Sequence, residues 1–180
     1  MDPRAEYPMD IPKLRKRIAF VDVEASGLMA GAFPVEVAWI TTSGNGEALL
    51  NPSGYWDETK WDADAEAMHG LSVQELRRKG RRPMVVAAAL ESSLAGKIAF
   101  SDSPDHDQAW LDMIHSAAGV PRTYSVETIG RLIGFLGLSP KRAYALFEEA
   151  RATHPPRGRA RSGAAYLSAV FEAALMESSR

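Results

Sequence analysis

The 180 residues of the chain suffice for one domain with a substantial core and are too few for two ordinary domains. The formal net charge of −2 provides no overall positive field for nucleic acid, although a local basic patch remains open. The absence of cysteine excludes disulfides, thiolate metal sites and thiol nucleophiles, and the apolar runs are too short to span a bilayer, so we expect a soluble cytoplasmic protein without membrane contact.

The first part of the chain is predicted to contain an arm followed by three strands. Residues 1–15 contain three prolines and mixed charge, which predicts a flexible N-terminal arm before a single domain at 16–180. Alternating apolar runs predict strands at 17–25, 34–42 and 47–50. The segment Ser43-Gly44-Asn45-Gly46 predicts the hairpin turn between the second and third of these strands.

The rest of the chain is predicted to be mostly helical, with two further strands. Ser72 and Glu75 have the capping-box spacing at the start of one helix. The predicted helices cover 62–69, 73–79, 83–95, 105–118, 128–136, 140–152 and 162–178, and the predicted strands cover 97–101 and 123–126. Three strands followed by interspersed helices and strands predict a mixed sheet with helices on its faces, in an α/β or α+β domain.

Two carboxylates interrupt the first predicted strand, which reads AFVDVEASGL at 19–28. Because side chains alternate along a strand, Asp22 and Glu24 lie on one face, about 7 Å apart. Two acids in a partly desolvated site repel each other unless a cation lies between them, and Mg²⁺ or Mn²⁺ prefers such oxygen ligands. The alternative is a strand end at which both carboxylates reach solvent.

Three segments together resemble a known family. They are the Asp-x-Glu strand with its Ser-Gly-Leu turn at 22–28, the segment MHGLS at 68–72, and FSDSPDHDQAWL at 100–111. In this order and spacing they resemble the motifs of the DEDD 3'–5' exonucleases. The resemblance implies a ribonuclease-H-like fold with a mixed five-stranded sheet flanked by helices. It also implies hydrolysis at the free 3' end of DNA or RNA, single-stranded or short, with Mg²⁺ or Mn²⁺.

The resemblance further implies the catalytic metal ligands. Asp22 would bridge two metal ions, Glu24 would bind the ion that activates water, and Asp107 would support the second ion through its hydration shell. Three acids, one of them acting through water, predict weak binding, with at most one ordered ion in the absence of nucleic acid.

The same resemblance places further residues around the terminal nucleotide. Ser26, Gly27 and Leu28 would bring backbone amides and an apolar side chain against it. For Met68 and His69 two interpretations stay open: they line the pocket of that nucleotide, or they form a helix end packed under the core.

The third motif is degenerate. In the His-bearing DEDDh branch it reads His-Arg-Ala-x-x-Asp-Ala, and the matching segment here is GRARSGA at 158–164. Gly158 stands in place of the general-base histidine and Gly163 in place of the fourth acid. Loss of a general base alone lowers a rate roughly 10²–10⁴-fold, so we expect cleavage to be weakened or lost.

Three explanations of these glycines stay open. The chain is a non-catalytic nucleic-acid or protein-binding module on the same scaffold, or both glycines are engineered, or other residues substitute for the lost ones. The substitutes would be His154 as the base and Asp102 or Asp105 as an extra ligand. If the motif has lost only its side chains, the double change Gly158→His and Gly163→Asp is expected to restore cleavage.

Two clusters of basic residues accompany the motifs. Arg159 belongs to an arginine cluster around Pro155-Pro156, and we assign it to substrate binding, with a solvated loop as the alternative. A second cluster, the basic run, lies near a helix end, where the helix dipole suffices to explain it. Its members are Arg77, Arg78, Lys79, Arg81 and Arg82.

Overall fold

The structure, a computed structural model, describes residues 11–178. Within these residues a five-stranded mixed sheet has the strand order β3-β2-β1-β4-β5. The strands are β1 Ile18–Ala25, β2 Pro34–Thr41, β3 Gly44–Leu49, β4 Ile98–Ser101 and β5 Ser125–Thr128. Strands β1, β2 and β3 are antiparallel neighbours, whereas β4 runs parallel to β1 and β5 parallel to β4. The predicted mixed five-stranded sheet is confirmed.

Helices cover both faces of this sheet. Their bounds are α1 Ile11–Arg17, α2 Ala63–His69, α3 Val73–Lys79, α4 Pro83–Leu94, α5 Pro104–Ala118, α6 Ile129–Phe135, α7 Pro140–Thr153 and α8 Ala160–Ser178. Ser72 caps α3 by accepting a hydrogen bond from the Glu75 N–H at 3.2 Å. The Glu75 carboxylate pairs with Lys79 one turn later, so only the serine half of the expected capping box forms. Among residues 11–178, no helix is both long and apolar enough to cross a membrane.

The alternation of side chains along β1 divides the core between the two faces of the sheet. Phe20 points toward α1, α6, α7 and α8, where it packs in one buried cluster with Phe171 of α8. Val21 points to the other face and joins a cluster with Leu90 of α4 and Leu111 of α5. Since Asp22 and Glu24 share the face of Phe20, the strand directs their carboxylates toward α8.

The predicted arm and hairpin turn differ from the structure, and the last strand, predicted at 123–126, covers Ser125–Thr128. Residues 11–15 of the predicted flexible arm belong to α1, because Leu14 is buried in the core against the sheet. Residues 1–10 of that arm lie outside the described residues, and the division into arm and domain stays a prediction. The hairpin turn consists of Thr42 and Ser43 rather than 43–46, because Gly44 and Gly46 pair with Thr41 and Trp39 of β2. A side chain at Gly46 would collide with the Trp39 ring, which explains a glycine within β3.

Candidate active site

Three aspartates meet at one edge of the sheet. Strands β1 and β4 are parallel neighbours with Phe20 opposite Phe100, so Asp22 and Asp102 each lie two residues beyond this pair. Asp107 follows in the first turn of α5, which begins directly after this edge. One carboxylate oxygen from each of Asp22, Asp102 and Asp107 lies within 4.8 Å of the others. The structure therefore brings together the predicted residues Asp22 and Asp107 and adds Asp102 to them.

Asp107 is held in place by its neighbours. Its side chain is only 3% exposed. The Ser101 hydroxyl at the end of β4 donates a hydrogen bond to Oδ2 of Asp107 and accepts one from the Ser103 N–H at 2.8 Å. A carboxylate in the first turn of a helix also interacts favourably with the helix dipole. The orientation of Asp107 is thus determined by β4 and α5 together.

Burial, and secondarily the charges of neighbouring acids, raise the pKa values of the carboxyl groups in the cleft. Burial raises the pKa of Asp22 to about 9, with further contributions from the charges of Asp107 and Glu24. Burial also raises the pKa of Asp107 to about 7, against the hydrogen bond from Ser101. The pKa of Glu24 is raised by burial and by the charge of Glu36. Carboxyl groups that retain protons in this way gain from a divalent cation, which favours their ionised form.

The donor set fits a hard divalent cation. Carboxylate oxygens are the ligands that Mg²⁺ and Mn²⁺ prefer, and three of them converge within 4.8 Å. Glu24 lines the same cleft as the three aspartates and lies on the strand face of Asp22. The geometry accounts for one such ion among the described residues.

Glu36 is a functional-site neighbour that sequence reasoning missed. It is the cross-strand partner of Glu24 and is only 2% exposed. Its carboxylate accepts hydrogen bonds from Nε and Nη2 of Arg159 at 2.9 and 2.5 Å, and from the Ala160 N–H at 2.9 Å. Arg159, which we assigned to substrate binding, therefore anchors the start of α8 to β2. Its role toward a substrate stays a prediction.

The three acids lie in a cleft of about 200 Å³. Leu28 and Met68 flank this cleft with apolar side chains that are 79% and 70% exposed. The Ser26 hydroxyl does not reach the cleft, because it donates to the Lys60 carbonyl and accepts from the Phe33 N–H, both at 3.0 Å. Gly27 also lines the cleft. A Cβ at this position would lie 2.9 Å from Asp62 Cβ, which is too close, so the turn requires glycine.

His69 lines the cleft and is also part of the core. Its Nδ1 accepts a hydrogen bond from the Leu71 N–H at 3.0 Å, which places the ring proton on Nε2. Burial lowers its pKa, so the ring is neutral at pH 7. Nε2 is buried without a hydrogen-bond partner among the described residues. The helix end at His69 therefore packs into the core, with the Ala25 backbone close enough to act on the ring, and a contact between His69 and a nucleotide stays a prediction.

The two glycines of the third motif are packed against the cleft. A Cβ at Gly163 would lie 2.5 Å from Asp22 Cγ and closer still to Oδ2. Gly158 has a φ of +63°, and a Cβ there would lie 2.9 Å from the Met68 carbonyl carbon and closer to its oxygen. The expectation that Gly158→His and Gly163→Asp simply refill vacant positions conflicts with this geometry. Both substitutions require the backbone or Asp22 to move.

The residues proposed to replace the lost base and acid, which are His154, Asp102 and Asp105, lie in different parts of the structure. His154 lines a separate cavity between α7 and α8, with Ala150 and Ala165, and its Nδ1 lies 3.0 Å from the Thr153 hydroxyl. It does not line the cleft of the acids, whereas Asp102 does and Asp105 does not. Two further lining residues, His106 and Trp110 on α5, were not selected from the sequence. The spacing of three residues from Asp107 was the available signal for Trp110, whereas helical spacing gave no signal for His106.

Comparison with known proteins shows the fold. No protein-family model matches the chain, and neither does any curated protein sequence. The zinc-bound complex of E. coli exonuclease I with single-stranded DNA matches with a TM-score of 0.65 and 16% identity, over 91% of this chain and 40% of that one. E. coli exonuclease I in complex with a dA16 oligonucleotide matches with a TM-score of 0.65 and 17% identity, over 89% of this chain and 40% of that one. The chain therefore spans about 40% of the length of these neighbours. It has the ribonuclease-H-like exonuclease fold that exonuclease I also has.

Proposed function

We propose that the chain is a 3'–5' exonuclease-like protein of the DEDDh type, which binds nucleic-acid 3' ends in the cleft and hydrolyses them slowly. The observation that carries this proposal is the convergence of Asp22, Asp102 and Asp107 within 4.8 Å, between the exposed apolar side chains of Leu28 and Met68. The single-stranded oligonucleotides in the exonuclease I structures support nucleic acid as the ligand.

Mg²⁺ or Mn²⁺ is the proposed cofactor, held by Asp22, Asp102 and Asp107 with Glu24 beside them. When bound, the ion supplies a polarised water and stabilises the charge that develops on the phosphate. Asp102 acts here as the substitute for the acid missing at Gly163. The ligand set supports one ion in place of the two implied by the family resemblance, because Gly163 itself contributes no carboxylate beside Asp22.

The remaining cleft residues orient the 3' end. Leu28 and Met68 contact the terminal base, since exposed apolar side chains at a cleft mouth lose water when a base packs on them. The buried Nε2–H of His69 donates to a nucleotide that enters the cleft, in place of its weak contact with the Ala25 backbone. With glycine at Gly158 no general base is provided there, and the expected rate is roughly 10²–10⁴-fold below that of a complete site. His154 remains a candidate base only if α7 moves toward the cleft.

A labelled single-stranded oligonucleotide tests this function. The 5'-labelled strand is incubated with the protein and Mn²⁺, and we expect products shortened one nucleotide at a time from the 3' end. Asp22→Asn and Asp102→Asn should lower the rate at least about 10–100-fold, the loss that follows even when only a group supporting a metal ligand is changed. Asp105→Asn is the matched control, because Asp105 is exposed in the same turn of α5 and does not line the cleft. Equal rates for Asp22→Asn and the parent would refute the proposal.

The second candidate function is a non-catalytic nucleic-acid-binding module. The observation that favours it is the close approach of Gly163 to the Asp22 carboxylate, which leaves no room for a fourth ligand. A parent protein that binds the oligonucleotide through Leu28 and Met68 but produces no shortened strand in Mn²⁺ would select this function.

A further inference from the structure

The basic run at the end of α3 contains three arginines that make no ion pair within residues 11–178. Arg77 is paired with Glu58, and Lys79 with Glu75 at 2.7 Å. The other three members are exposed and form no ion pair with a described carboxylate, although the charge of Arg78 acts on Glu75 from a greater distance: Arg78, Arg81 and Arg82. We call these three residues the arginine triad. The helix dipole accounts for a cation at the end of α3, but not for two more beyond that end.

The backbone that carries the arginine triad is held firmly. Arg81 N–H donates to the Leu49 carbonyl at 2.8 Å, and the Asn51 N–H donates to the Arg81 carbonyl at 2.9 Å. These hydrogen bonds form an isolated parallel β-bridge between Arg81 and Leu50, which follows directly after β3. At Gly80 a Cβ would lie 2.6 Å from the Asn51 nitrogen, so only glycine permits this approach. A fixed backbone lowers the entropy lost when the side chains engage a ligand.

The triad also lies at a defined position relative to the cleft. Helix α3 begins four residues after His69, and its seven residues span about 10 Å. Leu49, whose carbonyl binds the Arg81 N–H, lies opposite Glu36 on β2, and Glu36 lies opposite Glu24 of the cleft on β1. Helix α3 therefore leads from the edge of the cleft to the arginine triad.

We propose that the arginine triad is a second nucleic-acid contact, which binds backbone phosphates of a single strand whose 3' end lies in the cleft. Arginine suits this role because its planar guanidinium binds phosphate oxygens through two parallel N–H groups. A chain with net charge −2 has no overall attraction for a polyanion, so a local cluster of unpaired cations must provide it. This inference rests on the proposed function for the location of the 3' end.

Binding at different salt concentrations tests the triad. The full chain is titrated, with EDTA present, with a fluorescent 12-nucleotide strand and with a fluorescent dinucleotide. Each phosphate contact on a single strand contributes about 0.7 to the slope of log affinity against log salt, so Arg78→Gln/Arg81→Gln/Arg82→Gln should lower that slope by about 2. We expect at least about tenfold weaker binding of the 12-nucleotide strand at 50 mM salt, and unchanged binding of the dinucleotide, which fills only the cleft.

The matched control removes three positive charges, as the triad variant does, but from helices on the opposite face of the sheet from α3. Lys16→Gln/Arg17→Gln/Lys141→Gln alters exposed cations on α1 and α7 and should change the affinity and the slope little. Equal effects of the two triple variants would overturn the proposal, as would a parent that does not bind the 12-nucleotide strand. Tight binding of an acidic peptide that the 12-nucleotide strand does not displace would also overturn it. Unfolding temperatures verify that both variants fold.

The two proposals fail separately. Hydrolysis of the dinucleotide in Mn²⁺ depends on the cleft and on Asp22, and the arginine triad should not affect it. Cleavage that is lost in Asp22→Asn, together with an unaltered salt slope in the triad variant, would leave the proposed function standing and reject the triad. A reduced salt slope in the triad variant, together with no cleavage by the parent protein, would support the triad and reject the proposed function.

Discussion

At the scale of single residues, the contact between Gly163 and Asp22 controls the geometry of the site. The Asp22 carboxylate lies where a side chain at position 163 would be, so Gly163→Ala should destabilise the protein by about 1–3 kcal/mol, as overpacking does. Gly134→Ala is the matched control, because Gly134 lies within α6 with no atom within 4 Å of its missing Cβ. That change should stabilise by about 0.5–1 kcal/mol. Denaturant unfolding measures both, and an equal response of the two variants would contradict the packing described.

The raised pKa values of the acids predict how the stability of the metal-free protein depends on pH. In the unfolded chain, Asp107 and Asp22 lose their carboxyl protons above about pH 4. In the folded protein, Asp107 keeps its proton to about pH 7 and Asp22 keeps its proton to about pH 9. The folded state therefore binds more protons, and the free energy of unfolding falls as pH rises, by at most about 1.4 kcal/mol per pH unit for each proton.

Asp22→Asn should flatten this fall between pH 7 and pH 9, where Asp22 is the acid that still holds its proton. Denaturant unfolding at pH 5, 7 and 9 in EDTA measures the effect. Asp105→Asn, which removes an exposed charge from the same turn of α5, should leave the slope unchanged. A steep fall that persists in Asp22→Asn would show that another group is responsible.

At the scale of elements, Glu36 joins β2 to the start of α8. Replacing it with Gln removes the charge that holds Arg159 and weakens the acceptor for the Ala160 N–H. We expect the free energy of unfolding to fall by about 1–3 kcal/mol, the range for a buried hydrogen-bonding group left without its partner. The fall should not exceed this range, because Arg159 is half-exposed and can turn to water. Glu47→Gln breaks the neighbouring exposed pair with Arg161 and should cost less than about 1 kcal/mol. Urea unfolding distinguishes the two, and comparable losses would mean that Glu36 does not anchor α8.

Local patterns in the sequence were sufficient for several elements and not for the pairing between them. Helix α3 occupies the predicted range 73–79 because its cap and its Gly80 stop are both local signals. The neighbour relation of Glu24 and Glu36 depends on the β1–β2 register, and β1 and β2 are joined by residues 26–33. A loop of that length does not determine register as a two-residue turn does. The contact of Gly163 with Asp22 likewise joins residues far apart in the chain, which no local pattern encodes.

At the scale of the whole molecule, a bound cation should stabilise the fold. An ion that binds only the folded state adds about 1.4 kcal/mol at ten times its dissociation constant. For a chain of this size that corresponds to a rise of about 3–6 °C in unfolding temperature. Thermal unfolding in MgCl₂ and in EDTA measures this rise. Asp102→Asn should abolish it and Asp105→Asn should not, whereas the same rise in Asp102→Asn would place the ion elsewhere.

The contact between Trp61 and His69 gives the cleft an intrinsic optical signal. The Trp61 indole donates a hydrogen bond to Glu66, and its ring meets the His69 imidazole edge-on at 5.8 Å. Trp110 lines the cleft directly, while Trp39 is buried and Trp56 stacks on Phe33. We expect filling of the cleft to change the surroundings of Trp110 directly and those of Trp61 through His69, and to leave the other two unchanged. Tryptophan emission should therefore report occupancy by an unlabelled strand, and Trp61→Phe and Trp110→Phe separate the indirect signal from the direct one.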